Sequence, residues 1–293
     1  VATKCIDRWA VVEITDTGDG GIVLSGGDRN RLTPAELFAE NNRIHEYSRW
    51  SRTYRPAVGV FGVGNRVAHN LIYDGPHNGI QLSGNDHVIE FNEIHNVCYE
   101  TGDVGAFYMG RDWTARGTVI RNNYFHDING PGQLGAMGIY LDDQASGITI
   151  TGNLFRKVTR AVFIGGGDDN RVTNNVFVDC VPSVHLDARG LGWQKPATDG
   201  PKGTLRTQYA AVPVTSDVWT KKYPSLVSSV TVGDPGAPTG NLVERNVSLG
   251  GRWSDVEAKA KTGITFKDNL TDADPLFVNP VKNDFRLKSN SPA

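Results

Sequence analysis

Apolar and polar residues alternate in short runs along most of the chain, as in "NDHVIEFN" (85–92), "RGTVIRNN" (116–123), "SGITITGN" (146–153) and "DDNRVTNN" (168–175). Alternation of period two, bounded by Gly and Asn, predicts short half-buried strands; the runs are too short for helices. Each ends on an asparagine. The anchors Asn42, Asn70, Asn92, Asn123, Asn153 and Asn175 follow one another at 28, 22, 31, 30 and 22 residues. A repeat with a minimum length and variable insertions predicts a solenoid whose loops vary at chosen corners. Two residues beyond every anchor stands a large apolar side chain: Ile44, Ile72, Ile94, Phe125, Phe155 and Phe177.

Stacked coils of this kind make an all-β fold, a right-handed parallel β-helix in which each turn adds short strands to long parallel sheets. Coils lie about 4.8 Å apart, so equivalent residues form columns along the axis. The asparagines are expected to fill one turn column, their amides bonding up and down the stack.

A second series of strands aligns as "GIQLSG" (79–84), "GAFYMG" (105–110), "GIYLDD" (138–143), "AVFIGG" (161–166) and "SVHLDA" (183–188). This alignment turns Ile80, Ala106, Tyr108, Ile139 and Leu141 inward. It places Gln81, Phe107, Tyr140, Phe163 and His185 in one outward column, and Ser83, Met109, Asp142, Gly165 and Asp187 in the next. The rhythm stops after "DARGLGW". Residues 194–239 read as a long loop packed beside the wall, and 273–293 as the last coil and its cap, within a single domain over 1–293.

Composition agrees: 34 glycines suit tight turns. A formal charge of −2 gives no basic face for nucleic acid. No run of 18 apolar residues exists to span a membrane. The chain opens on Val1, with neither an initiator Met nor signal-peptide architecture, and is expected to be trimmed at both ends. Cys5, Cys98 and Cys180 have no CxxC spacing and read as apolar packing. Nothing fixes the oligomeric state.

Chemistry gathers on one outward face. Asp142 and Asp143 stand where the chain leaves a strand for a turn. One coil earlier come Asp103 and the Arg111–Asp112 pair; two coils later come His185, Asp187, Arg189 and Trp193. Paired carboxyls divide acid and base work in glycoside cleavage, aromatic planes stack on sugar rings, and Arg or His hold hydroxyls and carboxylates. One acid must stay protonated, and an adjacent carboxylate raises its pKa. Asp103, Asp142, Asp143 and Asp187 are therefore the catalytic candidates. His77, Gln81, Phe107, Arg111, Tyr140, His185, Arg189 and Trp193 are the candidates for substrate contact.

The segments "ETGDVGAFYMGRDWT", "GIYLDDQASG" and "HLDARG" resemble β-helix glycoside hydrolases, most closely glycoside hydrolase family 141. The specific motifs are "GDVGA", "GRDWT" and "YLDD"; the rest of the likeness, over roughly 20–290, is shared with the repeat itself. The resemblance implies α-L-fucosidase or xylanase activity by two aspartates from neighbouring coils, here Asp103 with Asp142 or Asp143. Wider kinship with polygalacturonases points the same way, but their "NTD", "GHG" and "RIK" elements are missing, which argues against pectin backbone hydrolysis. A secreted or periplasmic location is expected.

Geometry strains one pairing. Straight strands would hold Asp103 and Asp142 about 20 Å apart, whereas inverting glycosidases want roughly 6.5–9.5 Å and retaining ones about 5–5.5 Å. Asp142 and Asp187 share a column with Gly165 between them, hence about 9.6 Å, and Asp187 is the rival partner. His45, His95 and His126 each fall three residues after an anchor; with no carboxylate in the motif they read as surface turn histidines, not a metal ladder. No cofactor is implied, and calcium is not indicated. "GGGDDN" (165–170) reads as a turn leaving space beside Asp142, and "NVS" and "NLT" match glycosylation sequons. The favoured function is inverting hydrolysis of a complex, plant-wall type glycan. A polysaccharide lyase or epimerase is the alternative, and a non-catalytic carbohydrate-binding β-helix the second.

Overall fold

The computed structural model describes residues 12–293; Cys5 lies outside the described residues. Three sheets of eight parallel strands run the length of the described chain, each coil giving one strand to each sheet. Ile80–Asn85, Val88–Glu90 and Glu93–Val97 are one coil. The next is Val104–Gly110, Val119–Arg121 and Tyr124–Ile128, and the next Ala136–Asp142, Thr149–Thr151 and Leu154–Val158. The chain is thus a parallel β-helix.

The asparagine column exists, and it is longer than the six anchors. From Asn42 through Asn70, Asn92, Asn123, Asn153, Asn175 and Asn246 to Asn269, successive side-chain amides bond at 2.8–3.0 Å. Each link passes the Nδ2–H of one coil to the Oδ1 of the next, so a carboxylate could not donate and an alanine would orphan two partners. The turn is made by the preceding residue, which takes a left-handed conformation: His69 at φ 56°, Phe91 at 55°, Asn174 at 56°. The two sequon asparagines, Asn246 and Asn269, are rungs of this ladder, so neither amide is free to carry a glycan.

Inside, the column predicted from the repeat is in register: Ile44, Ile72, Ile94, Phe125, Phe155 and Phe177 pair strand to strand. The Phe125, Phe155 and Phe177 rings stack at 5.1 and 5.0 Å, close to the coil rise.

The strand Val104–Gly110 corrects the alignment by one residue. Gly105 pairs with Met137 and Phe107 with Ile139, not with Tyr140. Phe107 therefore points into the core at 0% exposure, and Tyr108 takes the outward column beside Gln81 and Tyr140. Met109 likewise turns inward, and Gly110 stands level with Asp142. Matching initial glycines caused the slip: both strands begin with an irregular segment, so their glycines are not equivalent.

Residues 194–239 are not a plain loop. Four short helices, Lys195–Thr198, Thr204–Ala210, Asp217–Lys222 and Leu226–Thr231, pack through Leu205, Trp219, Tyr223, Leu226 and Val230 against Trp113. Trp219 Nε1 donates to the Arg29 carbonyl at 3.0 Å, and Tyr223 to that of Arg116 at 3.2 Å, pinning the insertion to the turns of the solenoid. At the C-terminal end Phe277–Asn279 and Asp284–Leu287 form an antiparallel pair.

Candidate active site

The sheet containing Val104–Gly110, Ala136–Asp142, Val162–Gly165 and Val184–Asp187 carries the acids at its downstream edge. Gly110, Asp142, Gly165 and Asp187 occupy one level across four coils. Asp142 ends its strand, and the left-handed turn that follows, Asp143 at φ 41° and Gln144 at 64°, turns Asp143 towards the same centre. Arg111, at φ 65°, is the matching turn residue one coil earlier; its amide donates to the Asp143 carbonyl at 3.1 Å.

Arg189 is the hub. Its Nη1 donates to both Asp142 and Asp143, the latter at 2.9 Å, while Nη2 lies 2.8 Å from Asp187 and 3.2 Å from the Tyr140 hydroxyl. Gly165 makes room: a Cβ there would stand 2.6 Å from Arg189 Cζ. Burial alone would weaken the charge on Arg189, but bonding to Asp187 and the charges of Asp187 and Asp142 outweigh it and raise its pKa. Arg111 adds a second cation, 2.8 Å from Asp143 and 3.7 Å from Asp142. Two guanidiniums thus face three carboxylates.

The carboxylates differ in setting. Asp142, buried like Asp143, also accepts from the Tyr108 hydroxyl at 2.6 Å, so each of its oxygens has a partner, one in Arg189 and the other in Tyr108. Asp143 opens on a cleft of about 370 Å³ walled by Arg111, Trp193, Gln194 and Leu205. Burial first, and the charge of Asp142 second, raise its pKa above the ordinary carboxylate value against the pull of Arg189 and Arg111. Asp187 keeps 19% of its side chain exposed. Asp143 and Asp187 hold different terminal nitrogens of one guanidinium, at 2.9 and 2.8 Å, which keeps the bonded carboxylate oxygens within about 8 Å of each other.

Asp103 joins by an unforeseen route. The corrected register sets it level with Gly135, still farther along the sheet from Asp142. The chain before Ala106, however, folds back over the outer face: a Cβ on Gly105 would come 2.7 Å from Tyr140 Cβ, impossible for neighbours in flat register. Asp103 Oδ1 consequently accepts from the Tyr140 hydroxyl at 3.1 Å. The contacts of 3.1, 3.2 and 2.8 Å running through Tyr140 and Arg189 cap its distance from Asp187 Oδ2 at about 9 Å, below the upper end of about 9.5 Å for inverting pairs.

The substrate-contact candidates divide. Trp193, 72% exposed, projects beside the cleft with Arg189 5.6 Å beneath its ring. Tyr140 and Phe163 stack at 4.8 Å, and Phe163 and His185 at 4.2 Å, but the first two are buried under the folded-back segment, so Tyr140 offers its hydroxyl rather than its ring. His185 takes a hydrogen bond from Arg160 at 3.2 Å, and burial lowers its pKa. Gln81 is half-buried one coil before Tyr108 and does not line the cleft. Two expectations are corrected: Phe107 lies in the core, and His77 is buried at the upstream edge against Tyr54 and Asn78. Asp112 pairs with Arg29 at 3.1 Å and is structural.

Sequence reasoning missed Tyr108, although a ring carrying a hydroxyl suits a polar face better than its neighbour Phe107. Among the described residues the cluster able to hold a metal is Glu93, His95 and His126, on a different sheet.

A family model described as a right-handed β-helix region matches residues 56–192, the coils that carry every acid named above and Arg189. No curated protein and no solved structure matches the chain.

Proposed function

We propose that the protein is a glycoside hydrolase that cleaves a complex glycan with inversion. The observation that carries this reading is the pair Asp143 and Asp187, one raised in pKa and facing a cleft, the other partly open to water, held by different terminal nitrogens of a buried guanidinium. Asp143 gives a proton to the leaving glycosidic oxygen, and Asp187 takes a proton from the water that attacks the anomeric carbon from the other side. Asp103 is the second candidate base, and the likeness of "GDVGA" and "YLDD" to glycoside hydrolase family 141 supports its involvement. Asp142 fixes the network through Tyr108 and Arg189. Trp193 stacks on a sugar face at the cleft mouth.

A lyase or epimerase would need an unprotonated base beside the substrate carboxylate. Arg189 cannot serve, because its acidic partners hold it protonated. A binding module would keep Trp193 but has no use for a buried acid with a raised pKa. The test is a panel of defined plant and microbial glycans: new reducing ends without ultraviolet-absorbing unsaturated product support hydrolysis, unsaturated product supports a lyase, and binding without either supports a module. With a polysaccharide as substrate, a secreted or periplasmic setting is the one this reading proposes.

A further inference from the structure

We propose that Glu93, His95 and His126 form a binding site for a divalent transition-metal cation of the zinc type, on a sheet that the candidate active site does not use. Side chains two apart on a strand share a face, so Glu93 and His95 both point outward from Glu93–Val97. The next coil sets His126 in register with His95. One ligand atom from each of the three residues lies within 4.8 Å of the other two.

The site carries its own orientation. His126 Nδ1 is 2.8 Å from the Asp127 carboxylate and Nε2 is 3.1 Å from Glu93 Oε1. The Asp127 carboxylate on Nδ1 favours the tautomer that gives Nε2 to a metal, and the ion would take the place of the proton now between Nε2 and Glu93. Stacking limits the rings: Tyr73 on His95 at 5.2 Å, His95 on His126 at 4.5 Å, Tyr124 on His126 at 4.2 Å. Two imidazoles and one carboxylate favour zinc-like ions over calcium or magnesium, and leave a fourth position for water. Because the His95 and His126 rings are 17° from parallel, a cation at about 2.1 Å from both nitrogens requires the His95 ring to turn out of the stack towards Glu93. Once bound, the ion ties two successive coils together.

His45 supplies the internal control. It stands in the same column and meets Glu13 at 3.1 Å, but its in-register neighbour on the next coil is Tyr73, so no second imidazole is present. The same Tyr73 shows that the column accepts tyrosine, which makes His95→Tyr and His126→Tyr substitutions that keep the stack.

The experiment is calorimetric titration of the tag-free chain with Zn²⁺, with thermal unfolding followed in parallel. One ion per chain is expected, with a higher unfolding temperature in zinc. His95→Tyr and His126→Tyr should each weaken binding at least tenfold, Glu93→Gln several-fold, and His45→Tyr not at all. Absence of saturable binding, or binding that survives the His95→Tyr, His126→Tyr double variant in a folded chain, overturns the site. Neither outcome touches the reading of the Asp143 cleft.

Discussion

The guanidinium of Arg189 rests on Gly165, where any Cβ would lie 2.6 Å from its Cζ. The missing side chain is what lets one cation reach acids two coils apart. Gly165→Ala should therefore expel Arg189 from between Asp142, Asp143 and Asp187. Overpacking costs about 1–3 kcal/mol, and misplacement of a positioned group by about 1 Å costs roughly 10²-fold in rate. A urea titration and kcat on the same preparation check both, and a variant with unaltered kcat would detach Arg189 from the mechanism.

Trp193 is exposed, so Trp193→Ala should leave the unfolding temperature unmoved. A stacked aromatic contact is worth on the order of 1 kcal/mol. KM should rise several-fold with little change in kcat, as for a contact made equally in ground and transition states.

Within the asparagine ladder, Asn123 accepts from Asn92 and donates to Asn153 and to the Ile89 and Arg121 carbonyls. Asn123→Ala leaves buried partners on two coils unsatisfied, at about 1–3 kcal/mol each. Equilibrium denaturation should show a loss of at least about 2 kcal/mol, larger than for the same change at the terminal rung Asn269.

Asp168 gives a pH signature separate from the active site. Burial raises it to about 7, against the Thr239 amide and Arg116. A carboxyl raised on folding contributes stability that is complete below its unfolded value of about 4 and is lost as pH rises through about 7. The unfolding temperature should fall between about pH 4 and about pH 7 and level off above that, and Asp168→Asn, which keeps an acceptor for Thr239, should flatten that slope.

Much of this was legible in the chain. The Asn anchors and the apolar residue two beyond each one fix a coil to its neighbour, because a period-two strand allows a single register with its apolar face inward. That register also put Asp142 and Asp187 in one column. Three features were hidden. The fold-back before Ala106 breaks the period at the point where glycines were used for alignment, so Phe107 and Tyr108 exchanged faces and the approach of Asp103 looked impossible. Arg189 as the hub depends on a missing Cβ one coil away, at Gly165, which no local pattern marks. The helices of 195–231 did leave a trace, since Trp219, Tyr223, Leu226 and Val230 recur at steps of four, three and four, but prolines and short lengths masked it.

The sharpest trial is to follow cleavage of a hydrolysable oligosaccharide by proton NMR with the wild-type chain, Asp143→Asn and Asp187→Asn, each verified as folded by circular dichroism. The wild type should first release the anomer opposite in configuration to the substrate linkage, and both variants should lose at least about 10²-fold in kcat. Retained configuration, or folded variants that turn over as fast as the wild type, would contradict an acid–base pair at Asp143 and Asp187.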